Sequence, residues 1–402
     1  MTLRIAYVLK SFPKLSETFI AEELAELRRR GVELLICALK DPQEEHVHSL
    51  VAETGLLDLV IRDPDQFRGA LEAFRPDLIH AHFATEPTRV ARELARELEL
   101  PFTFTAHGHD VYRKPPADFG ERAADAERVI TVSQANATHI RHQFDVPADK
   151  LAVIPCGVDV KRFSPGSDAR QEVPTIVCVA RFSPVKNLTM LVQVCGVLRD
   201  RGLPFRCLLV GDGRTRGEIE QARAELGLES ELQLLGALPQ SEVIGCWRQA
   251  DVGVLCSHSE GMPVSLMEAA ACGVPVVATD VGGISELVEQ GKTGFVVPPG
   301  DVNAMADALE RVLTSRASIA GDPCETRVTS RASIAGDPCE TRVTSRASIA
   351  GDPCETRTSR ELATEMSWNA RLRALSVLSI QHQVDSLTSV WEASIAGERQ
   401  MA

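Results

Sequence analysis

Apolar residues along this chain come in short runs separated by amphipathic stretches, and the pattern occurs twice. Residues 3–9 (LRIAYVL), 32–39 (VELLICAL), 78–82 (LIHAH), 102–107 (FTFTAH) and 129–133 (VITVS) read as buried strands. Stretches 17–30 and 87–98 between them have helical spacing. Ser16 is placed to cap the first helix, and Glu17 favours its positive end. A second series follows, with strands expected at 175–180, 206–210, 232–235, 252–255 and 275–279 and helices at 187–201, 214–226 and 240–249. Strand alternating with helix predicts a parallel, doubly wound α/β sheet. Two series predict two such domains, 1–165 and 173–313. Proline, glycine and charge thicken over 155–174, which reads as the linker.

The pattern stops at a tandem repeat. TSRASIAGDPCETRV occupies 314–328 and recurs at 329–343, and a third copy lacking the last valine fills 344–357. Fifteen residues with one Gly-Asp-Pro break is too short a unit for the usual solenoids. An irregular repeat insert over 314–360, from duplication of a coding segment, explains it better than a binding array. A helical tail is expected over 361–402.

Composition narrows the function. At 402 residues, two domains are the expectation. Aromatic residues are 4% and the formal net charge is −13, which opposes a stacking platform or a basic face for nucleic acid. No stretch approaches the ~18 apolar residues of a spanning helix, and the start lacks a secretory leader. A cytoplasmic protein is expected, with any membrane contact peripheral. The 11 cysteines include no C-x-x-C pair and fit reduced thiols.

The chemistry concentrates in SHSEGMPVSLMEAAACGVPVVATDVGGISELVEQGKTGFVVPPGD, residues 257–301. Glu260 and Glu268 stand eight positions apart. Along one helix that spacing is roughly 12 Å, so the two cannot share a helical turn. Pro263 suits a first helical turn, which puts Glu260 on a loop at a strand's carboxyl end and Glu268 on the flank of the helix. Backbone N–H groups of Gly261, Met262 and Val264 would then point into the same crevice. A helix N-terminus binds phosphate and carboxylates bind hydroxyls, a combination suited to a nucleotide sugar.

This segment resembles the donor-binding half of the retaining glycosyltransferases of family 4, which have the GT-B fold: two Rossmann-like domains facing across a cleft. The N-terminal SFPKLSETFIAEEL resembles the subset associated with bacterial exopolysaccharide and colanic-acid-type assembly. The resemblance implies a nucleoside diphosphate sugar as co-substrate, a glycan or lipid-linked acceptor, and no cofactor or metal. It implies that Arg181 and Lys186, in VARFSPVKNL, neutralise the donor diphosphate. Glu268 would hold the ribose and Glu260 the transferred sugar. His107, in FTAHGHD, would face that sugar, with Asp110 in the same motif. Lys14, Glu17 and Thr18 follow the first strand's end, and either serve the helix start or line the acceptor side, where Asp110 is also placed. Gly211-Asp212-Gly213 reads as a tight turn at least as well as a nucleotide contact. His80 and His82 share a strand face, with no third metal ligand of suitable spacing. Met366 to Leu375, with Trp368, resembles the family's return to the N-terminal domain, and Trp391 is placed to end a final helix. A non-catalytic sugar-nucleotide-binding protein and a sugar-nucleotide epimerase remain as alternatives.

Overall fold

The computed structural model describes residues 2–14, 17–42, 49–166, 172–317 and 359–401. The Ser16 cap lies outside the described residues, as does the repeat from 318 to 358. Seven parallel strands form the N-terminal sheet: β1 (Arg4–Ser11), β2 (Glu33–Lys40), β3 (Val60–Ile61), β4 (Leu78–His82), β5 (Phe102–Ala106), β6 (Arg128–Thr131) and β7 (Leu151–Val153). Their order is β3-β2-β1-β4-β5-β6-β7. Six more form the second sheet: β8 (Thr175–Val179), β9 (Arg206–Val210), β10 (Leu232–Gly236), β11 (Val252–Leu255), β12 (Val276–Thr279) and β13 (Gly294–Val297), in the order β10-β9-β8-β11-β12-β13. Helices cover both faces, so the central strands are buried throughout, which is why they read as unbroken apolar runs.

Each sheet reverses its winding once, between β1 and β4 and between β8 and β11. At such a point adjacent connections leave in opposite directions and open a crevice at the strands' carboxyl ends. The fold therefore supplies two crevices, one per domain.

Some elements differ from expectation. β13 falls where the sequence reads as a turn, because Phe295, Val296 and Val297 lie next to Pro298-Pro299-Gly300 and take their place beside β12. β3 and β7 are two and three residues long, too short to carry a period. The 155–166 part of the linker is not loose. Cys156, Val158, Val160 and Phe163 are buried, and Val158 exchanges backbone bonds with Leu378 and Ile380 (2.9 and 3.0 Å).

The tail explains that anchoring. The helix Ser359–Val377 stays on the second domain, where Met366, Ala370 and Ala374 join the core, while Trp368 is 64% exposed. The return to the first domain is made instead by the next helix, Ile380–Met401. Its Ile380, Val384, Leu387 and Trp391 enter the N-terminal core beside Tyr7 and Leu24. Trp391 lies mid-helix rather than at its end, and its Nε1–H donates to Thr103 Oγ1 at 3.1 Å. Among the described residues no helix is long and apolar enough to cross a membrane. The described cysteines are buried and form no disulfide.

Trp391→Ala removes a fully buried ring and one of the hydrogen bonds to Thr103 Oγ1, and is expected to cost about 3–5 kcal/mol. Trp368→Ala is expected within about 0.5 kcal/mol of wild type. Chemical denaturation of both variants checks the pair, and equal midpoints would contradict the assignment of the return helix.

Candidate active site

The two crevices meet at a pair of glycines. β5 runs into His107-Gly108, and β11 runs into Ser257 to Gly261. A Cβ on Gly108 would stand 2.8 Å from the nitrogen of Gly261, and one on Gly261 would stand 3.1 Å from the nitrogen of Gly108. The two motifs touch backbone to backbone, with no room for a side chain. Nearby, the carboxylate of Glu286 crosses from the second domain to accept the N–H groups of Gln134 and Ala135, both at 2.8 Å. These open the helix Gln134–Phe144, so an anion from one domain caps a helix of the other.

On the second domain, Lys186 Nζ donates to Glu260 Oε1 at 2.5 Å, and Ser257 Oγ donates to the same oxygen at 2.5 Å. The N–H of His258 donates to the carbonyl of Val185 at 2.8 Å, which joins the Lys186 loop to the Glu260 loop. Arg181 lies exposed at the end of β8. His109 is held below its ordinary value by partial burial, then by the charges of Arg113, Lys114, Lys10 and Arg181. Cations from both domains thus converge on the cleft of an acidic chain. Gly211 and Gly213 have φ of +133° and +151°, and a Cβ on either would strike the carbonyls of Ala180 and Phe182. The Gly-Asp-Gly turn is therefore a backbone cradle for the Arg181 loop.

The helix Val264–Ala271 begins just after Pro263, so its first N–H groups have no helical partners. Gly261 and Val264 flank this start, and the side chain of Met262 is nearly buried. Glu268 does not sit on an open flank. It is 7% exposed and accepts from Trp247 Nε1 at 3.3 Å. Burial, and then the charge of Glu22 on the first domain's helix Thr18–Arg29, push it up to about 8. Glu22, likewise buried, is pushed up to about 7 and accepts from Gln240 Nε2 at 2.9 Å.

On the first domain, Asp110 is fully buried, and its two oxygens accept the N–H groups of Ala84 (2.6 Å) and His107 (3.0 Å). Burial pushes it up to about 7. It holds the His107 loop with both oxygens taken by backbone N–H groups, whereas the sequence reading placed it on the acceptor side. The His107 ring packs against Phe19 and Phe83 and stacks on His82. Lys14 and Glu17 pair at 2.5 Å just before Thr18, which opens the helix. Glu23 supplies the third ligand-type atom near His80 and His82 that local spacing lacks. Yet the ring nitrogens of His80 are engaged by Thr103 and Thr105, and those of His82 by His107 and Glu23, so the cluster is a closed hydrogen-bond network.

The structure thus brings His107, Lys186 and Glu260 together and leaves Glu268 inside the domain boundary. The sequence reading missed Lys10, Arg113, Lys114 and Glu286. Lys10 sits in β1 near its carboxyl end, a position that could have marked it. A cavity of about 550 Å³ opens beside Ser259 and is lined from both domains by Tyr112, His139, His142 and His258.

Residues 16–162 match the family described as Glycosyltransferase Family 4, and residues 159–326 match Glycosyl transferases group 1. The chain belongs to these glycosyltransferases. It is 26% identical to the colanic acid biosynthesis glycosyltransferase WcaL of Salmonella typhimurium, over 80% of this chain and 96% of that one. Among solved structures, a glycosyltransferase from Rickettsia africae superposes with a TM-score of 0.74 at 19% identity, covering 98% of this chain and 99% of that one. Anabaena HepE in complex with UDP superposes with a TM-score of 0.72 at 18% identity, covering 98% and 100%. These likenesses show the fold, the GT-B pairing of two Rossmann-like domains.

Two outcomes follow for this glycosyltransferase. Gly108→Ala pushes the loops apart and is expected to lower turnover by about 10², the cost of an ångström-scale misplacement. Gly69→Ala, where a Cβ meets nothing, is expected to leave turnover unchanged. Steady-state rates of the two variants check this. The second outcome concerns pH. Glu22, Asp110 and Glu268 hold their protons more tightly folded than unfolded. Their contribution to stability is complete below the ordinary carboxyl range and is lost as pH rises toward about 7 to 8. The melting temperature of the chain is expected to fall between pH 6 and 8.5, with a shallower slope in Glu268→Gln. A rise over that range would contradict the burial of these carboxyls.

Proposed function

We propose that this glycosyltransferase moves a hexosyl unit, with retention, from a nucleoside diphosphate sugar to a hydroxyl of a glycan or lipid-linked acceptor in cell-surface polysaccharide synthesis. The observation that carries the reading is the meeting of His107-Gly108 with the Lys186–Glu260 pair at the joined crevices. Phosphate chemistry fits the cations gathered there, and hydroxyl chemistry fits the carboxylates. The name of WcaL, a colanic acid biosynthesis glycosyltransferase, and the UDP bound in HepE support this reading of the biosynthetic setting and donor class.

In this reading Arg181 and Lys186 hold the diphosphate, together with backbone N–H groups of Gly261, Met262 and Val264. Glu268 takes the ribose hydroxyls and Glu260 orients the sugar. His107 receives that sugar from the opposite wall. As the bond from the anomeric carbon to the phosphate oxygen breaks, the acceptor oxygen bonds to that carbon on the same face, and the departing phosphate takes the acceptor's proton. Fixed cations stabilise the charge that develops on the diphosphate, and they need no reorganisation to do so. Lys14, Glu17 and Thr18, which follow the end of β1, are assigned with Asp110 to the acceptor side.

Lys186→Ala and Glu260→Ala are each expected to lower turnover by about 10² or more. A thermal-shift panel of UDP-, GDP-, ADP- and TDP-sugars identifies the donor first, because a ligand of the folded state raises its melting temperature. The shift should vanish in Arg181→Ala. No shift with any sugar nucleotide, or full turnover in either variant, would overturn the assignment.

A further inference from the structure

The first domain holds a row of buried polar groups that the transfer chemistry leaves unused. Glu23, inside the helix Thr18–Arg29, accepts from Tyr7 Oη at 2.6 Å and from Gln383 Nε2 at 2.6 Å. Its Oε1 lies 3.0 Å from His82 Nε2. His82 Nδ1 lies 3.1 Å from His107 Nε2. All of these residues are buried, and His107, 8% exposed, is the one placed at the glycine contact between the domains.

Counting protons along this row gives it a direction. A neutral imidazole has one N–H and one bare nitrogen. Glu23 already receives two short bonds, one on each oxygen, which suits a carboxylate. A carboxylate only accepts, so His82 places its proton on Nε2. His82 Nδ1 is then bare and only accepts, so His107 carries its proton on Nε2. Burial holds His107 well below its ordinary value, which keeps it neutral. Its remaining nitrogen, Nδ1, is therefore an acceptor.

We propose that Glu23 and His82 are positioning residues that fix His107 in the Nε2-protonated tautomer, so that it meets its ligand as a hydrogen-bond acceptor for a hydroxyl. The row is anchored from the far end of the chain. Gln383, on the return helix that follows the repeat, holds Glu23 with its amide nitrogen and takes the N–H of Gly157 with its oxygen. The last helix of the chain thereby reaches the residue placed at the sugar. That the hydroxyl belongs to a transferred sugar rests on the function proposed above, whereas the tautomer does not.

Two-bond 15N–1H correlation spectra of the full chain, labelled at histidine, report which ring nitrogen bears each proton. His107→Gln and His82→Gln assign the signals. Wild type is expected to show the proton on Nε2 of both rings. Glu23→Gln replaces an oxygen by an amide N–H that must face either Gln383 or His82. It is expected to shift His107 toward the Nδ1-protonated form and to lower turnover about tenfold, with the donor KM little changed. That is the scale of one lost hydrogen bond. A proton on His107 Nδ1 in wild type overturns the proposal without any substitution. So does a Glu23→Gln chain whose His107 tautomer is unmoved, or one whose tautomer shifts while turnover stays at the wild-type level. If wild type transfers no sugar from any donor, the proposed function fails, and the relay is decided by the spectra alone.

Discussion

Two glycines, Gly108 and Gly261, set how close the two halves of this glycosyltransferase can come. Their backbones touch where the carboxyl ends of β5 and β11 meet, so the walls of the cleft are separated by main chain and not by side chains. That closeness puts His107 of one domain beside Glu260 of the other, each adjacent in sequence to its touching glycine. The cap that Glu286 gives to the helix Gln134–Phe144 acts at the same boundary. It adds a charge-to-dipole attraction at that contact.

The second structural theme is the route of the tail. The chain leaves the second domain through the helix Ser359–Val377 and then re-enters the first as the helix Ile380–Met401. The linker is clasped on the way, with Val158 bonded on both sides of Ser379. Buried Val384, Leu387 and Trp391 then complete a core begun by β1 and the first helix. A hydrophobic anchor thus sets the linker path, and a polar residue on it, Gln383, continues into the histidine row. The repeat precedes this clasp in sequence, yet the elements on either side of it pack on the second domain together.

Electrostatics in the cleft runs against the average of the molecule. The chain carries a formal charge of −13, but Lys10, Arg113, Lys114, Arg181 and Lys186 are drawn toward one crevice. Elsewhere carboxylates pair with arginines along helix surfaces, such as Arg89 with Glu93 and Arg216 with Glu220. Net charge therefore describes the protein's exterior and says little about the site. The three raised carboxyls, Glu22, Asp110 and Glu268, show the weight of burial, which exceeds that of the hydrogen bonds each accepts.

The sequence by itself determined the two sheets, because strands covered on both faces must be apolar along their length and so announce themselves. It also determined the Glu260 loop and the helix after it, since proline, glycine and carboxylates fall at fixed offsets over a contiguous stretch. It did not reveal β3 and β7, which are shorter than any period, or β13, whose turn residues dominate the pattern. It assigned the return to Trp368 when the buried ring is Trp391, because two tryptophans on neighbouring helices look alike until one of them meets a core. Only the tertiary structure decided that Asp110 spends both oxygens on backbone, that Glu268 faces Glu22 across a boundary, and that Glu23, His82 and His107 form one row. Those facts join residues 23, 82, 107 and 383, which lie far apart along the chain. Local pattern records what each segment buries, and cannot record what arrives from another domain to bury it.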